Sequence, residues 1–166
     1  MSVLSKLIYL LPRIIVYSIF LIFLFLFFFI NFSYFEPYLY PLHLIKGKAK
    51  YVKKNIIIGP YPNKRELKIL KEKLRITIVI SLLNPNLPPE KSLLNEEQKN
   101  TKELGLKFYN YPLEYFNLNS EYNLSMIQKL KSLIEKNPQE IFYIHCYLGK
   151  HRVKLVEEYI KNETSY

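Results

Sequence analysis

Eight consecutive residues, His145-Cys146-Tyr147-Leu148-Gly149-Lys150-His151-Arg152, bring together the nucleophile and the cation best suited to anion chemistry in this chain. Ahead of them, Ile141-Phe142-Tyr143-Ile144 is short, apolar and rich in β-branched and aromatic residues, the pattern of a buried strand. Behind them, Val153, Leu155, Val156, Tyr159 and Ile160 recur at helical spacing. The stretch is therefore a strand-to-helix turn, which aims unpaired amide hydrogens and the positive end of a helix dipole at one point. A thiol placed there gives up its proton readily. Cys146 is the one cysteine of the chain, so an internal disulfide is excluded and a zinc site could draw only a single thiolate. Arg152 adds a planar fork that fits two oxygens of a tetrahedral anion.

The spacing Cys-x5-Arg, with His directly before the cysteine and Gly three residues after it, resembles the signature loop of the protein tyrosine and dual-specificity phosphatases. The matching residues are His145, Cys146, Gly149 and Arg152. Rhodaneses usually have a loop one residue shorter. The resemblance implies that the Cys146 thiolate takes a phosphoryl group and that water then releases it, with no metal and no other cofactor. It gives the phosphate oxygens to the amides of Tyr147, Leu148, Gly149, Lys150, His151 and Arg152 and to the Arg152 guanidinium. It gives His145 a role supporting the cysteine, whereas His151 reads either as a solvated loop residue or as a contact to an anionic substrate.

Two positions depart from the family. Its members protonate the leaving group with an Asp on the loop after the third strand, and this chain contains no Asp. The corresponding segment is Tyr111 to Glu121, where Glu114 is the candidate acid and Glu121 the reserve. Glu114 reads equally as a solvated carboxylate. Val153 stands where relatives carry Ser or Thr, a hydroxyl that helps the thiolate leave in the second step, so slow turnover or mere phosphate binding is an expectation.

The elements that must position this loop follow in order. Asn55 to Ile58 reads as a strand ending in Gly59-Pro60-Tyr61-Pro62. Asn63, with Glu66 three residues on, caps a helix bearing Leu67, Leu70 and Leu74. Ile76 to Leu83 is a central strand, Glu90 to Leu104 a helix stopped by Gly105, Leu106 to Pro112 a strand, and Ser120 to Asn137 a helix. Strands alternating with helices predict an α/β fold, a mostly parallel central sheet flanked by helices. Asn55 to Ile160 resembles the small tensin-like dual-specificity phosphatases in this layout, and only the Cys146 loop is specific.

Ile14 to Phe35 is 22 residues without a charge, a helix of roughly 33 Å and long enough to span a bilayer. A cleaved signal peptide has a shorter apolar core ending in small residues, unlike Asn31 to Pro37. Tyr34, Phe35, Tyr38 and Tyr40 suit an aromatic belt. The expected organisation is a single-pass transmembrane anchor over 1–36, a basic connector over 37–54 that could lie on lipid through Leu42, Leu44 and Ile45, and a phosphatase-like domain over 55–166. Lys46, Lys48, Lys50, Lys53 and Lys54 outweigh Lys6 and Arg13 across the span, which favours a cytoplasmic domain, as does a thiol that must stay reduced.

From Pro37 onward 22 Lys and Arg face 13 Glu, a balance that attracts anionic lipid or phosphorylated substrates. A coding bias toward Lys and Asn gives the same charge. The lysines are dispersed and no nucleic-acid motif is present, so nucleic acid is not an expected partner. The resulting expectation is a membrane-anchored phosphatase of phosphoproteins, of the tyrosine or dual-specificity kind. The alternatives are a phospholipid-headgroup phosphatase, a non-enzymatic module that captures phosphorylated partners, and a membrane protein whose loop is coincidental.

Overall fold

Residues 3–39, 41 and 45–162 are described in the computed structural model. The expected places of Tyr40, Leu42 and Leu44 lie outside the described residues. The chain opens with helix α1, Val3–Ile30, whose stretch Leu10–Ile30 is long and apolar enough to cross a membrane. Regular helix stops four turns' worth of apolar sequence later than Ile14 but short of Phe35, because Asn31 leaves helical geometry and turns its side-chain amide onto the Phe27 carbonyl at 2.9 Å. A single turn, α2 (Phe32–Phe35), and a 3-10 turn over Glu36–Tyr38 follow.

Five strands form one sheet in the order β1-β2-β5-β3-β4: β1 is Lys50–Lys53, β2 Ile56–Pro60, β3 Ile78–Ser81, β4 Lys107–Asn110 and β5 Phe142–Cys146. The pairings β2–β5, β5–β3 and β3–β4 are parallel, as the alternation of strands and helices predicts. Only β1–β2 is antiparallel. That edge strand lies inside the stretch expected to be the basic connector, so the sheet starts before residue 55.

The helices between the strands follow their local signals. In α3, Lys64–Leu74, the Asn63 side chain accepts from the Glu66 amide at 2.9 Å while Glu66 accepts from the Asn63 amide at 2.8 Å, a complete capping box. Helix α4 spans Pro88–Glu103; it starts two residues before Glu90 because two prolines at its first positions need no hydrogen-bond acceptor. Ser120 caps α5, Glu121–Lys136, and α6, His151–Asn162, closes the fold.

Strand alternation divides the core. Ile56, Ile58, Ile78, Ile80, Phe142 and Ile144 face α5 and α6, whereas Ile57, Val79 and Tyr143 face α3. Each of these side chains is essentially water-free, a contribution of about 1.5–3 kcal/mol apiece before the entropy of ordering is counted. β5 is buried along its whole length in the middle of the sheet, so its C-terminal end is fixed from both sides. The loop that leaves it opens where ligands bind in parallel sheets, outside the carboxyl ends of the strands.

Candidate active site

β5 ends at Cys146, in register with Pro60 of β2, and α6 begins at His151. Between them the backbone is held by its carbonyls: Tyr147 accepts from the Tyr61 amide at 3.1 Å and Leu148 from the Gly47 amide at 2.7 Å. Among the described residues no backbone carbonyl accepts from the amides of Tyr147 to Lys150, which leaves those donors available to an anion. Gly149 is indispensable to this shape. Its φ is +67°, and a Cβ there would lie 2.4 Å from the Pro60 nitrogen. Gly149→Ala is therefore expected to push the loop off β2 and, if the loop hydrolyses phosphate esters as the sequence resemblance implies, to cut that hydrolysis about tenfold to a hundredfold. Parallel rate measurements and thermal melts check this; an unchanged rate in a folded variant would count against the loop as catalytic.

Arg152 turns inward and is only 3% exposed. Its Nη1 donates to Glu90 Oε2 at 2.9 Å and to the Leu82 carbonyl at 2.9 Å, and its Nη2 donates to Glu90 Oε1 at 2.5 Å. Glu90 thus grips the end of the fork with both oxygens and also accepts from the Asn84 amide at 2.6 Å. A guanidinium has five N–H groups. With one face taken by Glu90, Nε–H and the second Nη2 hydrogen stay on the other face for two oxygens of a phosphate. Nε has no protein acceptor among the described residues. Burial pulls the guanidinium pKa down, but the Glu90 carboxylate and the Cys146 sulfur beside it outweigh burial and hold it above its ordinary value.

His145, next to Cys146, points to the opposite face of the strand and is fully buried between Tyr143, stacked at 5.7 Å, and Tyr61, edge-on at 5.9 Å. Its Nε2 lies 2.5 Å from Oε1 of Glu97, also fully buried. Neither atom counts as hydrogen-bonded. At that distance the deficit is one of direction, and the two side chains are in close polar contact off the ring N–H axis.

One cavity of about 200 Å³ gathers the chemistry, lined by Glu90, Tyr115, Cys146, Tyr147, Leu148, His151 and Arg152. Gly149 and Lys150 instead line the neighbouring groove along α6. Glu114 is half-buried and is not on the cavity wall; its amide donates to Asn123 Oδ1 at 2.7 Å and its carbonyl accepts from Asn123 Nδ2 at 3.2 Å. Tyr115, the next residue, faces the cavity. Val153 is packed in the core with Ile144 and Val156. Among the described residues, those lining a larger groove of about 1100 Å³ between the foot of α1 and α4 include no cysteine and no histidine.

Glu90 escaped the sequence reading. An acidic residue in the first turn of a helix is common, and nothing in a single sequence ties it to an arginine 62 positions away. The contacts of the segment that follows α1 escaped it as well: Phe32 packs edge-on against Tyr147 at 5.9 Å, and Lys46 pairs with buried Glu36 at 2.6 Å while its Nζ sits 5.2 Å from the Tyr147 ring centre. Burial, and then the Glu36 carboxylate, push the Tyr147 hydroxyl above its ordinary pKa.

No family model matches the sequence, and no curated protein does. Solved structures do. The core catalytic domain of the PP-IP phosphatase Siw14 from S. cerevisiae superposes with a TM-score of 0.59 at 20% identity, over 73% of this chain and 68% of that one. A DUF442 protein of Shewanella putrefaciens CN-32 gives 0.58 at 15% identity, over 75% of this chain and 78% of that one. At such identities the likeness speaks for architecture, and the architecture is plain: this chain has the α/β fold of the Cys-dependent phosphatases of the tyrosine and dual-specificity type.

Proposed function

We propose that the chain is a membrane-anchored hydrolase of phosphate monoesters that works through a cysteinyl-phosphate. One observation carries this reading: Cys146, the loop residues Tyr147 and Leu148, and an Arg152 braced by Glu90 all border the same cavity. The Cys146 thiolate attacks phosphorus; the S–P bond forms as the P–O bond to the leaving group breaks. Water then attacks phosphorus, the S–P bond breaks and phosphate departs. In both steps charge spreads over the equatorial oxygens, where fixed amides and the free face of Arg152 stabilise it without reorganising.

The leaving oxygen takes up a proton as it departs. Glu114 is the donor that the match to the family's acid loop suggests, and His151, on the cavity wall, is the second candidate; Glu90 is committed to Arg152 and Asn84. Glu114→Gln and His151→Gln distinguish them. The variant lacking the acid is expected to hydrolyse an alkyl phosphate about a hundredfold more slowly while an aryl phosphate with a good leaving group changes little. Equal slowing of both substrates removes that residue from the role.

Phosphoproteins, in the tyrosine or dual-specificity sense, and phospholipid headgroups both offer such monoesters. The S. cerevisiae neighbour is a PP-IP phosphatase, so the fold also serves other phosphate compounds. A phosphate-capturing module without turnover is the second reading, favoured by the aliphatic Val153 and the absence of Asp. Full-length protein in lipid vesicles, given an aryl phosphate at mildly acidic pH, separates the two. Steady phosphate release, blocked by vanadate and indifferent to chelators, supports the enzyme; a single burst or none supports the module.

The apolar helix α1 serves as a single-pass anchor with the domain in the cytoplasm, a topology supported by the lysines that follow it and by a thiol that must stay reduced. A reporter fused after Tyr166 tests it, and reporter activity outside the membrane reverses the topology.

A further inference from the structure

We infer that Gly47 and the Lys46–Glu36 pair are positioning residues for the Cys146 loop, holding its peptides in the direction that anion binding requires, an inference that rests on the phosphatase reading above. The contact at the centre is between backbones. Gly47 donates its amide to the Leu148 carbonyl at 2.7 Å, and Tyr61 donates its own to the Tyr147 carbonyl at 3.1 Å. Both loop peptides are trans, and a trans peptide points its N–H opposite to its C=O. Each carbonyl held on this side therefore turns the amide of the next residue, Leu148 or Gly149, to the other side. Those are two of the donors that the phosphatase reading gives to the phosphate oxygens.

Gly47 suits this place because its backbone lies directly on the loop. A Cβ there would sit 2.8 Å from the Gly149 carbonyl oxygen and 3.3 Å from that of Leu148.

The side chain before it fastens the contact. Lys46 Nζ donates to Glu36 Oε1 at 2.6 Å and to the Tyr61 carbonyl at 3.4 Å, and it stands 5.2 Å from the ring centre of Tyr147 and 5.6 Å from that of Tyr61. One ammonium thus meets both residues of the Tyr61–Tyr147 hydrogen bond. The Lys46 and Glu36 side chains are only 10% and 3% exposed. A pair so dry adds little stability beyond what apolar side chains of equal volume would give, because desolvation offsets most of the attraction. What apolar side chains cannot supply is a directed bond. The carboxylate fixes the ammonium, and the ammonium fixes Tyr61, Tyr147 and the start of Gly47 together.

The test uses full-length protein in phosphatidylcholine vesicles, with an aryl phosphate as substrate and vanadate as the probe of anion binding. Glu36→Gln combined with Lys46→Met removes both charges and nearly keeps both volumes. The melting temperature is expected to move by no more than about 3 °C. Per folded molecule, kcat/KM should nevertheless fall about tenfold and vanadate should bind about tenfold more weakly. Gly47→Ala leaves the pair in place and should lower both about thirtyfold. All three changes together should match Gly47→Ala alone to within about twofold, since they act through the same peptides. Folded variants with unchanged rate and vanadate affinity overturn the inference and leave the phosphatase standing. Loss of the fold in both variants, or fully additive losses in the triple variant, overturns it as well. A wild-type protein that does not hydrolyse the aryl phosphate overturns the inference and the phosphatase reading together.

Discussion

Cys146→Ser is expected to lower phosphate release by about four to six orders of magnitude, the scale seen when a covalent nucleophile is removed from a site whose other parts remain. Serine keeps the volume of cysteine to within a small margin, and the position is 3% exposed in a strand fixed on both sides, so the fold should survive. Burying a hydroxyl there costs about 1–3 kcal/mol, which a thermal melt will show. The amides and Arg152 are untouched, so the variant should still bind phosphate or vanadate. Loss of turnover with binding retained is the required pattern. Turnover by the variant at more than about a hundredth of the wild-type rate would remove Cys146 as nucleophile.

Glu90→Ala is expected to have the next largest effect, acting through Arg152 and not through contact with the substrate. Its side chain is 15% exposed and that of Arg152 is 4%, so the pair is largely dry. Removing the carboxylate strands a buried guanidinium, which costs about 3–5 kcal/mol of stability and releases the fork from the orientation that leaves Nε–H free. The rate should fall about a hundredfold to a thousandfold, as it does when an oriented donor is lost from a charged transition state. Because a melted protein is also inactive, the decisive measurement is vanadate affinity below the melting transition, which should weaken in parallel with the rate. Glu90→Gln, which keeps one acceptor and the shape, should recover part of both. If stability falls while vanadate affinity and the rate per folded molecule hold, Glu90 supports only the fold.

The Cys146 loop was readable from sequence because its signals are local: an apolar strand, a turn with a glycine, a helical periodicity and two polar side chains at fixed spacing. The capping box at Asn63 and the stop at Gly105 were readable for the same reason. β1 was not. Lys50-Tyr51-Val52-Lys53 is mostly solvent-facing, and the turn at Lys54-Asn55 lacks the glycine that marks a tight hairpin, so only its pairing with Ile56–Ile58 makes it a strand. Glu90, Glu97 and Glu36 were invisible as site neighbours because each meets its partner across the fold, and a carboxylate's sequence context does not say which cation or ring it will face. For Glu114, its place in the chain suggested a proton donor, and what the sequence did not show is that Asn123 ties its backbone into the loop whose Tyr115 lines the cavity.

The antiparallel pairing of Lys50–Lys53 with β2 carries a practical consequence for anyone preparing a soluble fragment. A polypeptide trimmed at residue 55 would strip the rim from the sheet and leave Ile56, Ile57 and Ile58 with bare amides and carbonyls along one side, a template for stacking with other copies. Such a fragment should precipitate, and its insolubility would say nothing about its chemistry.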